Sequence, residues 1–404
     1  MLFLCPQIII KNMKNHPDSI KAFLSERKKQ SLYRSVKISE SPQQAIMKID
    51  GKECLNFCSN DYLGLASHPG IIESFKSAAD KYGVGSGASH LINGHSAEHQ
   101  QLEEALADFT GRDKALLFSN GYMANMGIIN ALLERGDYLF QDRLNHASLI
   151  DAGLLASAKM QRYKHNDVDD LKRLYSKIEV SDKNNMIVTD GVFSMDGDEA
   201  PMPELAEIAK KHQAWLMVDD AHGFGVLGKT GAGLLEQENL SQDDVPVLMG
   251  TLGKACGTSG AFVAGSEDLI EYLKQTARTF IYTTALPSSI AAATQTSLKV
   301  IAKETWRREK LQSLIKQFKL GAKELGFELM ESNTAIQPIL LGDNENTLRI
   351  SQALYDQGIL VSAIRPPTVP NGFSRLRVTL SANQSEQNVS KLLSALENTL
   401  NKNK

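Results

Sequence analysis

Lys254 lies in the segment Gly250-Thr-Leu-Gly-Lys-Ala-Cys-Gly257, an amine set among small residues with no acid beside it to form a helical ion pair. Upstream, Val218-Asp-Asp-Ala-His-Gly223 ends an apolar run in a carboxylate and an imidazole. A crowded, partly desolvated amine suits a nucleophile. Asp219, at the end of an apolar strand, needs a cationic or hydrogen-bonding partner. A pyridinium N–H would serve, so the pair suggests a Schiff-base lysine to pyridoxal phosphate, a cofactor that works as an electron sink only when an anion keeps its ring nitrogen protonated.

Other residues fit the same chemistry. His222 would bond the cofactor's phenolic oxygen, and His146, in Asn145-His-Ala-Ser148, would offer a flat face to the ring. Gly121-Tyr122 follows an apolar strand and opens a helix, so backbone amides there would meet a phosphate. Thr251 would hold the phosphate from the lysine's own turn. Taken singly, each of these is more commonly a structural residue or an ordinary turn; together they favour the cofactor site.

Two competing motifs fail on context. Gly83-Val-Gly-Ser-Gly-Ala88 follows a helical segment, Ile71 to Tyr82, where a dinucleotide fingerprint would follow a strand. Gly250-Thr-Leu-Gly-Lys-Ala255 has its glycines too close for a nucleotide triphosphate loop and Ala255 where Ser or Thr would bind magnesium. A nicotinamide dehydrogenase and an ATPase are thereby disfavoured.

The elements that must position these groups follow from periodicity. From about Glu98, helical spacings alternate with short apolar runs at Ala115–Phe118, Tyr138–Phe140, Met186–Thr189, Trp215–Val218, Val247–Met249 and Ala261–Ala264. That alternation predicts an α/β fold with a mostly parallel sheet. Asp142, Asp190, Asp219 and Thr251 then fall at one carboxyl edge, where ligands bind in open α/β sheets. Beyond Pro287 a long helical stretch to about Leu325 precedes a second strand and helix pattern, read as a smaller α+β C-terminal domain. The expected division is residues 1–18 as a disordered extension, 19–60 as an N-terminal arm with a helix over Ser19–Arg34, 61–290 as the large domain and 291–404 as the small one.

Composition bounds the rest. The chain has 404 residues, 42% of them hydrophobic, and a formal charge of -3, so no global basic field favours nucleic acid or an anionic membrane. Cys5, Cys54, Cys58 and Cys256 are too few and scattered for a disulfide framework or a zinc pair, which fits reduced thiols in a cytoplasmic protein. The apolar start, Met1 to Ile10, lacks a basic lead-in, is interrupted by Pro6 and is too short to span a bilayer, and Met13 is an alternative start.

With these residues in view, the chain from about Ser19 onward resembles the α-oxoamine synthases, fold-type I pyridoxal-phosphate-dependent transferases that condense an amino acid with an acyl thioester and release carbon dioxide. Asn60-Asp-Tyr-Leu-Gly-Leu65, Asp142-Arg-Leu-Asn-His-Ala-Ser148, Asp190-Gly-Val-Phe-Ser-Met-Asp-Gly197, Val218–Gly223 and Thr251–Lys254 are similar to the family's motifs in order and spacing. Ala363-Ile-Arg-Pro-Pro-Thr-Val-Pro370, followed by Arg375–Leu380, most resembles the member that joins L-alanine to a pimeloyl thioester.

The resemblance implies that Lys254 carries the cofactor, Asp219 pairs with the pyridine nitrogen, and His146 stacks on the ring. It implies that Ser194 and His222 bond the phenolic oxygen and that Gly121, Tyr122 and Thr251 bind phosphate. Arg365 would hold the amino-acid carboxylate with Asn60, Thr368 would line the substrate site and Arg34 would meet the acyl substrate. Thr284 would reach the phosphate of a partner subunit, giving a homodimer with a shared active site. Asn383 and His90 depart from the family, standing where many relatives have histidine and arginine. A sister enzyme using glycine or serine, and a catalytically silent scaffold subunit, are the rival readings.

Overall fold

The computed structural model describes residues 17–178 and 183–401. Of the expected disordered extension, residues 1–18, residues 1–16 lie outside the described residues, and Pro17 and Asp18 instead open the first helix. After a helix, Pro17–Lys29, the strands run in chain order: β1 (Ile46–Ile49), β2 (Lys52–Asn56), β3 (Lys114–Phe118), β4 (Tyr138–Asp142), β5 (Lys159–Tyr163), β6 (Asn185–Asp190), β7 (Trp215–Asp219), β8 (Val247–Thr251), β9 (Ala261–Gly265), β10 (Ile336–Gly342), β11 (Ile359–Leu360), β12 (Ser362–Ile364) and β13 (Ser374–Thr379).

Two compact units result. The larger comprises Asn60–Gln312 with Ser381–Asn383; the other joins the N-terminal segment to Ser313–Leu380 and Gln384–Lys404. The sequence reading put the boundary near residue 290 and kept the arm separate, whereas the division falls inside the helix Trp306–Glu324 and the arm belongs with the C-terminal strands. Helical periodicity continues through residue 312, so composition carries no mark of that boundary.

The larger unit is built on a seven-stranded sheet of order β3-β9-β8-β7-β6-β4-β5. Strands β5, β4, β6, β7 and β8 run parallel, while β9 lies antiparallel between β8 and β3. Successive side chains alternate faces. Leu116, Phe118, Met186, Val188 and Val263 join one core with the helices Gly121–Leu132, Ala147–Leu155 and Glu267–Thr276. Phe140, Ile187, Leu216 and Val218 join the other with Val168–Tyr175 and Met202–Lys211. With helices over both faces, the central strands read as nearly continuous apolar runs.

In the other unit β1, β2 and β11 form one small sheet, and β10, β13 and β12 an antiparallel one. The helices Asn344–Asp356 and Glu386–Asn401 bury Ile350, Leu354, Val389, Leu392 and Leu396. The first helix stops at Lys29, earlier than the expected Arg34, because Ser31 takes a left-handed conformation at φ 55° and Leu32 N–H turns back to the Arg27 carbonyl. Arg34 consequently lies beyond the helix, in a segment with no regular secondary structure. The stretch after Pro287 is two helices, Ser288–Lys303 and Trp306–Glu324, parted at Glu304.

Candidate active site

The carboxyl ends of β4, β6, β7 and β8 place Asp142, Asp190, Asp219 and Thr251 along one edge of the large unit's sheet. Asp190 and Asp219 are register partners on adjacent parallel strands, both buried. Asp219 is held from two sides: its Oδ2 accepts from Asn125 Nδ2 at 2.8 Å and its Oδ1 from Ala221 N–H at 3.1 Å. Asn125, fully buried on the helix Gly121–Leu132, also donates to Ser148 Oγ at 2.8 Å. Ser148 in turn meets His146 Nδ1 at 2.7 Å, so one chain of polar contacts links Asp219 to His146.

His146 caps the helix Ala147–Leu155, and its backbone N–H donates to Asp190 Oδ2 at 2.9 Å. Its ring has an open face, yet desolvation by the surrounding protein outweighs the attraction of Asp219 and, with the charge of Lys254, favours the neutral imidazole. A neutral ring is suited to lying flat on an aromatic partner. The Asp190 carboxyl is pushed well above the ordinary range by burial and then by Asp219. Burial also lifts Asp220, the next residue along from Asp219, to about 8. Between these two, Asp219 is the carboxyl held by the Asn125 side-chain amide and the Ala221 N–H.

Lys254 follows β8 in a closed turn. Leu252 N–H bonds the Gly260 carbonyl at 2.9 Å, Thr258 N–H bonds the Leu252 carbonyl at 3.0 Å, and Gly257 N–H bonds the Lys254 carbonyl at 2.8 Å. Gly257 has φ 67°, and a Cβ there would come within 2.3 Å of the Ala66 amide nitrogen, so only glycine fits. His222 lies one short turn beyond Asp219, with Nδ1 2.5 Å from the Tyr62 hydroxyl. Tyr62 is itself 3.3 Å from Asn60 Oδ1. Ser194 sits in the turn after β6, closed by Gly197 N–H on the Phe193 carbonyl at 2.8 Å.

At the start of the helix Gly121–Leu132, Asn120 caps Met123 N–H at 2.9 Å. A Cβ on Gly121 would meet Thr251 Cγ2 at 2.7 Å, which keeps the helix terminus bare beside that threonine. Thr251 Oγ1 is buried without a partner among the described residues. A bare helix N-terminus and an unsatisfied hydroxyl fit an anionic phosphate. Tyr122 is bonded to Asp151, which raises its hydroxyl to about 12. Thr284 is exposed; its carbonyl accepts from Ser119 Oγ at 3.2 Å and it bridges to Ser89.

The remaining expected residues belong to the other unit. Arg365 donates through Nη1 to the Ser31 carbonyl, while its Nε is buried with no partner among the described residues. Burial, and then the charge of Arg34, weakens its hold on its proton. Arg34 and Thr368 are exposed, and Thr368 N–H bonds the Arg365 carbonyl at 3.1 Å. Of the two departures, Asn383 presses on Gly64, whose Cβ would lie 2.0 Å from its Oδ1, and His90 is buried against His95 and Phe280. Burial drives His90 down to about 3, so it is a neutral core residue.

Residue reasoning missed Asn125 and the contact of Tyr62 with His222. Asn125 stands in the middle of an otherwise apolar helix, Tyr-Met-Ala-Asn-Met-Gly-Ile-Ile, which is a signal for a buried polar anchor.

A lysine in a closed turn beyond β8, an anchored aspartate at the end of the neighbouring β7 and a bare helix terminus beside Thr251 fit a phosphate-bearing cofactor on an α/β sheet. Residues 52–396 match the aminotransferase class I and II family, and the chain belongs to it. The 8-amino-7-oxononanoate synthase of Saccharophagus degradans is 59% identical over 375 residues, covering 92% of this chain and 94% of that protein. Among solved structures, a serine palmitoyltransferase from S. paucimobilis with a bound PLP–myriocin aldimine superposes with a TM-score of 0.89 at 32% identity, covering 95% and 96% of the two chains. The 8-amino-7-oxononanoate synthase of Francisella tularensis gives 0.76 at 33% identity, covering 87% and 98%. The fold is that of the fold-type I pyridoxal-phosphate-dependent transferases.

Proposed function

We propose that this chain is a pyridoxal-phosphate-dependent acyltransferase that condenses L-alanine with a pimeloyl thioester, on CoA or a carrier protein, to give 8-amino-7-oxononanoate, carbon dioxide and the free thiol, as a step of biotin biosynthesis. The observation that carries it is the near-full-length identity to proteins of that name, together with a sheet edge whose buried groups suit the cofactor.

When bound, pyridoxal phosphate supplies an electron sink for charge developing at the amino acid's Cα. In our reading Lys254 would hold the cofactor covalently through Nζ, and the same nitrogen would serve as the base that takes the Cα proton. Asp219, fixed by Asn125 and the Ala221 amide, would face the pyridine nitrogen. His146 covers the ring, Ser194 and His222 bond the phenolic oxygen, and Gly121, Tyr122 and Thr251 hold the phosphate. The Tyr62 hydroxyl fixes the orientation of His222.

Arg365, with one nitrogen committed to Ser31 and another unsatisfied, binds the substrate carboxylate with help from Asn60. Thr368 lines the amino-acid site and Arg34 meets the acyl group. Thr284 reaches the phosphate of a second copy, so the working species is a homodimer, and its compartment is the cytoplasm. The deciding experiment incubates holoenzyme with alanine, glycine or serine plus pimeloyl-CoA and identifies products by mass. Formation of 8-amino-7-oxononanoate from alanine alone is expected; a glycine- or serine-derived ketone would reassign the chain to a sister activity.

A further inference from the structure

His165 is engaged at both ring nitrogens by carboxylates: Nδ1 lies 3.1 Å from Asp142 Oδ1 and Nε2 lies 2.7 Å from Asp198 Oδ2. A neutral imidazole has one N–H and can satisfy only one of them, so the double contact requires the cation. Burial opposes that charge, but the hydrogen bonds to Asp142 and Asp198 win and raise the imidazolium to about 10. The next residue, Asn166, repeats the bridge: its N–H donates to Asp142 Oδ2 at 2.8 Å and its Nδ2 to Asp198 Oδ2 at 2.8 Å.

The two carboxylates belong to different loops of the cofactor edge. Asp142 ends β4, is fully buried and opens the segment that carries His146; its Oδ1 also accepts from Leu144 N–H at 2.7 Å. Asp198 closes the turn that carries Ser194, through Phe193 N–H to its carbonyl at 3.0 Å, and the His165 ring meets the Phe193 ring edge-on at 4.4 Å. No group of this cluster has been given a part in the reaction above. It joins the ring-stacking residue to the phenolate-binding residue through one cation.

We propose that His165 is a positioning residue, an imidazole strapped between Asp142 and Asp198 that sets the spacing of the His146 and Ser194 loops around the cofactor ring. This rests on the assignment of the sheet edge as the cofactor site. The bland alternative is an ion-pair network that adds stability and nothing else.

The test uses purified full-length holoenzyme with His165→Gln, Asp198→Asn and the double variant. Cofactor affinity is measured by dialysis against pyridoxal phosphate, ring seating by visible circular dichroism, and folding by Tm. We expect His165→Gln to weaken cofactor binding about tenfold, the loss of one well-placed charge-assisted contact, and to diminish the visible dichroism of the bound fraction. Asp198→Asn should move both readouts the same way by less, and the double variant should be no worse than His165→Gln, because both changes cut one strap. Affinity within twofold of wild type and unchanged dichroism in the folded variants, with only Tm lowered, overturns the proposal. If His165→Gln fails to fold, Asp198→Asn, on the more exposed side of the strap, decides alone. Wild-type protein that does not bind pyridoxal phosphate at all would instead sink the functional assignment beneath it.

Discussion

In the larger unit the proposed cofactor residues hang from strand ends, braced by buried neighbours, whereas in the other unit Arg34 and Arg365 lie outside any helix or strand. Asp219 has two N–H donors and Asp190 a third nearby, all supplied by backbone or by a fully buried amide. Arg365 has a single carbonyl partner and Arg34 is exposed. Groups that handle the proton and the developing charge need fixed geometry, which strand ends supply. Groups that choose a substrate tolerate looser anchoring, because a carboxylate brings its own bidentate geometry to a guanidinium.

The contrast can be broken most forcibly at Lys254. Lys254→Ala should lower condensation by at least about a thousandfold and abolish the covalent lysine adduct seen by mass after borohydride reduction; a retained adduct would place the cofactor on another amine. Asp219→Ala comes next, weakening cofactor binding on the order of thirtyfold, as read by dialysis, since it removes the ring's anion and strands Asn125 Nδ2. Equal affinity in that variant would mean the strand ends do not seat the cofactor.

On the other side, Arg365→Ala should raise KM for alanine about twentyfold with a smaller change in kcat and unchanged cofactor affinity. Arg365→Lys should recover little of it, because a point charge lacks the paired donors. If cofactor affinity falls instead, the separation of roles between the two units is wrong. Gly121→Ala sharpens the comparison more finely: the new methyl displaces Thr251, and cofactor affinity should drop about fivefold with Tm nearly constant.

The smallest effect is a control inside the larger unit. Glu103 is buried, accepts Leu117 N–H at 3.0 Å, and is raised by burial from 4.5 to about 7. Between those values the unfolded chain binds fewer protons than the folded one, so stability falls as pH rises and then levels above about 7. Glu103→Gln should flatten that fall, raising Tm at pH 8 by roughly a few degrees and leaving cofactor affinity untouched.

Much of the sheet edge was legible in the sequence because short apolar runs mark parallel strands and the polar residue ending each run marks its carboxyl end. Lys254, Asp219, His222 and Thr251 could be found this way. The reversed direction of β9 could not, since Ala261–Ala264 reads the same whichever way it runs. Nor could the clamp of His165 on Asp142 and Asp198 or the contact of Tyr62 with His222, because polar pairs distant in sequence carry no periodic signal. Arg365 and Arg34 stand out through resemblance alone, and the end of the first helix before Arg34 follows from one left-handed residue, Ser31, that helix propensity does not anticipate.

The pairing of β2 with β11 sets Leu55 beside Ile359. On the ribosome the hairpin of β1 and β2 emerges early and then waits, its open edge unpaired, until nearly the whole chain has been made. The larger unit, contiguous except for Ser381–Asn383, can collapse during that interval. A nascent chain halted before β11 would therefore carry an orphaned strand edge, a ready target for chaperones and for aggregation.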